Sequence, residues 1–439
     1  MIRIRCMSVA IGFVVVATSV SADDDFECAP IHYSKAKPNN AITRLQAKID
    51  TGKLQLSYHN DRGYLDAVLK ALEVPVSSQT LVFSKTSMQR SRIGPKTPRA
   101  LYFNDDMYVG FCQSGQVLEI SAVDPQLGAV FYTLDQQEAE RPRFARQTDA
   151  CLLCHGSSQT KNVPGHIVRS VFADRVGEMV LSLGTQRIDQ TTPLEKRWGG
   201  WYVTGTHGKQ RHLGNLIVKN RGDRDTIVDN PEGQNLATLR DLFDTSAYPT
   251  PHSDIVALMV LEHQAEAHNL IARASMQTRI ALHDQTLLNK ELGRSADYQS
   301  ETTYRRIKSV GDPLVRYLLF SHEARLTDKI RGTSTFAVDF ARQGPRDAKG
   351  RSLREFDLER RMFKYPCSYL IYSEPFAELP GAIKEYVYQS MYDALTDRDY
   401  SGAFRHLSAG DRQAILEILR ATKKDLPDYW RDRNPPAPP

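Results

Sequence analysis

The chain has 439 residues, 41% of them hydrophobic and 25% charged, with 57 Lys and Arg against 52 Asp and Glu and only six Cys. That balance excludes a disordered chain, a collagen-like repeat and a small disulfide scaffold, and it leaves room for two or three domains with real cores. The net charge of +5 is small for this length and makes no case for a nucleic-acid partner.

Residues 1–22 read as a secretory signal peptide. Arg3 and Arg5 form a basic start, Met7 to Val20 an apolar run, and Val20-Ser21-Ala22 a small-residue cleavage site. The run is short for a membrane anchor, and no later segment approaches about 18 consecutive apolar residues, so no stable span is expected after cleavage. The expected location is periplasmic or secreted. Removing Arg3 and Arg5 leaves 55 basic against 52 acidic side chains, a charge of +3. Cys6 is lost too, which leaves Cys28, Cys112, Cys151, Cys154 and Cys367 in an oxidising compartment.

Region 23–145 is expected to be β-rich. Short β-branched or aromatic runs at 81–83, 100–103, 108–111, 117–120 and 130–132 are separated by Gly, Pro, Asn and Asp. Region 146–225 carries further strand-like runs at 167–172, 179–183, 201–203 and 216–218. Region 226–433 changes character. From Ser253 to Asn289 there is no Pro or Gly, and Val256, Val260, His263, Ala267, Leu270 and Ala274 recur at helical spacing. Ser253 or Asp254 can cap that helix. More helices are expected over 313–327, 353–363, 383–395 and 411–424, before a Pro-rich tail at 434–439. The fold class is α+β, with a β-rich first half and a helical second half.

The chemistry is concentrated in Cys151-Leu-Leu-Cys-His155. C-x-x-C-H is the attachment signature of c-type haem. Two thiols three positions apart can add to the two vinyl groups of one porphyrin, and the next residue offers an imidazole to the iron. Three other readings use the same residues. A thioredoxin-like pair expects a preceding strand in a βαβ frame, whereas Arg141 to Ala150 is basic and turn-like. A zinc site needs a second ligand pair, which is missing. A plain Cys151–Cys154 disulfide remains open. With the motif assigned to one covalent haem c, the simplest pairing of the remaining thiols is Cys28 with Cys112.

The sixth iron ligand decides between an electron carrier and an enzyme or sensor. The Ser253–Asn289 segment has the densest His and Met cluster and supplies three candidates: His263, His268 and Met259. His207 is a fourth, from the Gly- and Trp-rich stretch 197–215, which also holds His212 and whose aromatics could wall a porphyrin. His166, soon after the motif, is equally natural as a loop residue. An apolar-face His is more often a satisfied core residue than a ligand. Arg141, Arg143, Arg146 and Arg169 are candidate partners for haem propionates.

The chain resembles a group of exported bacterial c-type haem proteins with one Cys-x-x-Cys-His motif and no settled function. The resemblance runs through Phe83–Ser87, Pro95–Asp105, Cys151–His155, Trp198–Asn215, Asp254–Ile271 and Tyr365–Pro375. It implies haem binding and electron transfer but no substrate. A small all-α class I cytochrome c is not expected, because strand-like text follows the motif. Two functions are therefore expected to compete: a mono-haem cytochrome exchanging single electrons with a partner protein or a small-molecule donor or acceptor, and a haem-dependent oxidoreductase of peroxidase-like or small-molecule type. A non-haem binding module with a Cys151–Cys154 disulfide is the third.

Overall fold

Alternating burial organises the first half of the computed structural model, which describes residues 25–219 and 228–431. The segments read as a signal peptide, 1–22, and as a tail, 434–439, lie outside the described residues. Six strands follow in order: β1 Thr80–Val82, β2 Arg99–Phe103, β3 Met107–Phe111, β4 Val117–Asp124, β5 Gly128–Asp135 and β6 Phe144–Gln147. After the single helical turn Leu152–His155 come three short strands, β7 Arg169–Val171, β8 Ala173–Asp174 and β9 Thr185–Arg187, then β10 Trp201–Tyr202 and β11 Ile217–Val218. One antiparallel sheet runs β10-β1-β2-β3-β4-β5-β6.

Successive strand residues point to opposite faces, and the sheet uses both. One face sends Leu81, Tyr102, Val109, Ile120 and Val130 into a core with helices α1 (Ala41–Asp50) and α2 (Leu65–Ala71). The other face sends Val82, Phe103, Tyr108, Val123 and Trp201 toward the helical half. Region 23–145 thus opens with two helices ahead of its strands. The first starts at Asn40, whose side chain accepts from the Ile42 and Thr43 N–H groups.

The single turn Leu152–His155 is α3. The long helix α4, Ile255–Glu291, follows the expected stripe, and every residue of that stripe is buried. Asp254 caps it by accepting from Val256 and Ala257 N–H through one carboxylate oxygen. Its other oxygen accepts from Thr333 and Ser334 N–H at 2.8 Å, which ties the cap to a later loop. The first half of α4 is buried on all sides, as befits a central helix. Around it stand α5 Glu301–Leu318, α6 Phe336–Arg342, α7 Glu374–Ala377, α8 Gly381–Leu395 and α9 Ala409–Thr422. No helix among the described residues is long and apolar enough to cross a membrane.

Three expected elements come out differently. The helix placed at 313–327 begins at Glu301, capped by Ser300, and ends at Leu318, so Pro313 lies inside it and not at its start. No helix forms over 353–363. Asp357 accepts from Glu359 and Arg360 N–H, and Leu358 takes a left-handed φ of 56°, a combination that closes a turn instead. The run at 179–183 is no strand either: Leu181–Leu183 form a 3-10 turn.

Candidate functional site

The chain leaves β6, turns at Asp149 and coils once as α3. Cys151 is half-buried and Cys154 exposed, and both carry free thiols. His155 faces inward against Phe131 of β5, with ring centroids 4.8 Å apart. Its Nδ1 lies 2.9 Å from the Gly165 carbonyl oxygen. A carbonyl only accepts, so Nδ1 carries the proton and Nε2 keeps its lone pair. Gly165 returns a backbone N–H to the His155 carbonyl at 2.8 Å, so the two residues clamp each other. Burial lowers the imidazole pKa against the opposing pull of that carbonyl, which keeps the ring neutral and able to donate to a metal.

Helix α4 holds this loop in place. Asn269 accepts from the His166 N–H and donates to the His166 carbonyl, both at 2.8 Å. A Cβ on Gly165 would stand 2.2 Å from the Asn269 side-chain oxygen, so only glycine lets the helix and the loop meet this closely. His166 in turn shares a 2.8 Å hydrogen bond between its Nε2 and Ser121 Oγ of β4. Its Nδ1 is buried without a partner, and burial pushes its pKa well down. Behind it lies a chamber of about 140 Å³ lined by Gln159, His166, Arg187, Asp189, Glu262 and Glu266, among others.

On the other side of the motif lies the sheet. Arg99 of β2 and Glu119 of β4 form an ion pair at 2.5 Å, and these two charges act on both the Cys151 thiol and the His155 imidazole. Gly110 of β3 sits between them: a Cβ there would come 2.4 Å from the Arg99 guanidinium. Arg99 Nε is buried and unpartnered, a donor still in need of an acceptor.

The sixth-ligand candidates fall into separate environments. His263 is fully satisfied: Nδ1 pairs with Gln190 Oε1 and Nε2 with Ser368 Oγ at 2.8 Å, and the ring stacks on Tyr317 and Phe320. Met259 is buried in the same helical core. His268 Nδ1 meets the Tyr108 hydroxyl at 2.9 Å while Nε2 is unpartnered. Packed rings surround it, with Tyr108 and His166 centroids each 6.0 Å away, and Phe131 lies between that cluster and His155. His207 packs on His212 at 4.7 Å and accepts from the Asn235 N–H. Of the aromatics in 197–215, Trp198 donates to buried Glu262 and Trp201 to the Arg169 carbonyl, so both serve the core.

The arginines next to the motif also divide. Arg146 donates to the Ala36 and Tyr33 carbonyls and covers the Tyr33 ring, which ties β6 to the N-terminal segment. Arg169 donates to Thr185, and Arg141 and Arg143 are exposed. The expected Cys28–Cys112 pairing is corrected. Cys28 lies exposed in the N-terminal turn, whereas Cys112 is 1% exposed at the end of β3, and both are free thiols. Burial pushes the Cys112 thiol up to about 12, which makes it inert. Sequence reasoning missed Gly165, Asn269, Arg99 and Glu119. Gly165 stands beside His166 and could have been noticed, whereas the other three act only through long-range contacts.

Comparison with known protein families, with curated proteins and with solved structures finds no match.

Proposed function

We propose that the chain is an exported c-type cytochrome that holds one covalent haem and passes single electrons to a partner protein or a small-molecule donor or acceptor. The observation that carries this reading is the state of His155: its Nδ1 is committed to the Gly165 carbonyl and its Nε2 lone pair is free, one residue beyond the second of two free thiols. The donor set fits haem c. Cys151 and Cys154 would hold the porphyrin, His155 the iron, and Arg99, whose Nε lacks a partner, a propionate. When bound, the haem supplies a one-electron iron couple. Gly165 and Asn269 keep the imidazole at a fixed tautomer and angle, the support that metal-bound histidines ordinarily have. The opposite charges of the Arg99–Glu119 pair act on Cys151 and His155, and burial of His155 limits water there.

One observation favours the haem-dependent oxidoreductase as a second reading. The 140 Å³ chamber beside His166 is polar and roomy enough for a small substrate or a few waters. The two readings separate on ligand access. Purified protein, matured with the haem-attachment machinery, is mixed with CO and with peroxide. A carrier keeps its low-spin spectrum and turns over no peroxide. Rapid CO binding with peroxide turnover replaces the carrier by the enzyme.

A further inference from the structure

We infer that Met88, in the loop between β1 and β2, is the sixth ligand of the iron, an assignment that rests on the haem reading above. Four observations converge on it. The first is direction. His155 Nδ1 is tied back to Gly165, so Nε2 points away from the 156–165 loop; the ring packs on Phe131, which stands opposite Ser121 of β4, and Glu119, two residues along on the same face, carries the ion pair to Arg99. The Arg99 guanidinium lies over Gly110 and, with Glu119, forms a floor on that face of the sheet.

The second observation is anchoring. Ser87 Oγ donates to Glu119 Oε1 at 2.5 Å, and Gln89 Nε2 donates to the same oxygen at 3.1 Å and to the Val117 carbonyl at 3.1 Å. Gln89 Oε1 accepts from the Gln116 N–H at 2.9 Å. The residues on both sides of Met88 are thus fastened to the Glu119 carboxylate, on the face of the sheet against which His155 packs. The loop's place is fixed while its central side chain is left open.

The third is exposure. Met88 is 57% exposed, and it is the one exposed methionine among the described residues. Leu153, between the two motif cysteines, is 82% exposed. Two uncovered apolar side chains, one on the motif and one on the clamped loop, suit a flat apolar group seated over the floor, which would cover both. The fourth is the condition of the other donors. His263 has no free nitrogen, Met259 is sealed in the helical core, and His268 stands behind the packed rings of Tyr108, His166 and Phe131. A thioether is a soft, uncharged donor, and paired with His it gives a higher reduction potential than two imidazoles.

The test uses the full chain matured with haem. A reduced pyridine spectrum first establishes haem content. The ferric protein is then scanned for the weak red charge-transfer band of methionine sulfur on ferric haem. We expect the band in the parent protein. In Met88→Ala and Met88→Leu it disappears, haem content is unchanged, the iron turns high-spin and CO binds faster. Met259→Leu and His268→Ala keep the band. A parent protein that holds haem but lacks the band overturns the assignment, as does a Met88→Ala variant whose spectrum is unchanged. Either result leaves the haem reading standing, whereas a parent protein without a pyridine signal removes both. Circular dichroism of the two Met88 variants separates loss of ligation from loss of fold.

Discussion

Helix α4 and the turn at 151–155 both display histidines, and the two regions treat them in opposite ways. In α4, His263 spends both ring nitrogens on Gln190 and Ser368, and its faces on Tyr317 and Phe320. In the turn, His155 spends one nitrogen on Gly165 and keeps the other. Burial alone does not distinguish a ligand from a core residue, since both rings are pushed toward the neutral form. What distinguishes them is how many hydrogen-bonding positions the protein has already filled. His263 is therefore packed as a core residue, whereas His155, on the turn beside the sheet, keeps an uncommitted ring nitrogen.

Substitution of His155 by Ala is the strongest way to break this contrast. The haem-matured protein is expected to lose its low-spin spectrum altogether, whereas His263→Ala keeps it. Identical spectra for the two variants would erase the distinction.

Acid titration probes the buried histidines of the core. Burial lowers His212, His263 and His268 to about 3 from an ordinary 6.5. The unfolded chain then binds protons that the folded chain refuses. Their contribution to stability is complete above the ordinary value and declines as pH falls toward the folded one. Each costs about 1.4 kcal/mol per pH unit in that window, so the three together remove about 4 kcal/mol over one unit. Denaturant midpoints measured at about pH 7 and about pH 5 check this; equal midpoints would contradict buried neutral imidazoles.

His263→Ala should by itself destabilise the fold by about 2–4 kcal/mol, since it opens a cavity and orphans Gln190 and Ser368. Chemical denaturation measures that loss. The smallest effect is assigned to Asn269→Ala, at about 1–3 kcal/mol for two buried hydrogen bonds. As a positioning residue, Asn269 should also shift the reduction potential, because it holds the loop that fixes the His155 tautomer. A stability loss with no change in potential would make Asn269 merely structural.

The sequence exposes these regions unevenly. The motif is local, five residues whose order is their meaning, and it reads directly. Strands β2 to β5 read well too, because β-branched and aromatic runs between turn residues mark a sheet with both faces buried. Pro313 misleads because proline at a helix start and proline inside an amphipathic helix look alike without the Ser300 cap in view. The state of His263 is illegible, since its partners Gln190 and Ser368 lie 73 and 105 residues away. For the same reason Arg99, Glu119 and Met88 carry no local signal. Only the pairing of Gly110 with Leu101 on one side and Glu119 on the other brings them to one patch.

The proposed function requires that Cys151 and Cys154 hold a haem covalently. Intact-mass measurement of the protein, purified under denaturing conditions from cells with the haem-attachment machinery, reads that bond. The expected mass is increased by one haem, with no increase in the Cys151→Ser, Cys154→Ser double variant. An unmodified mass for the parent protein, with the two sulfurs joined to each other, would contradict it.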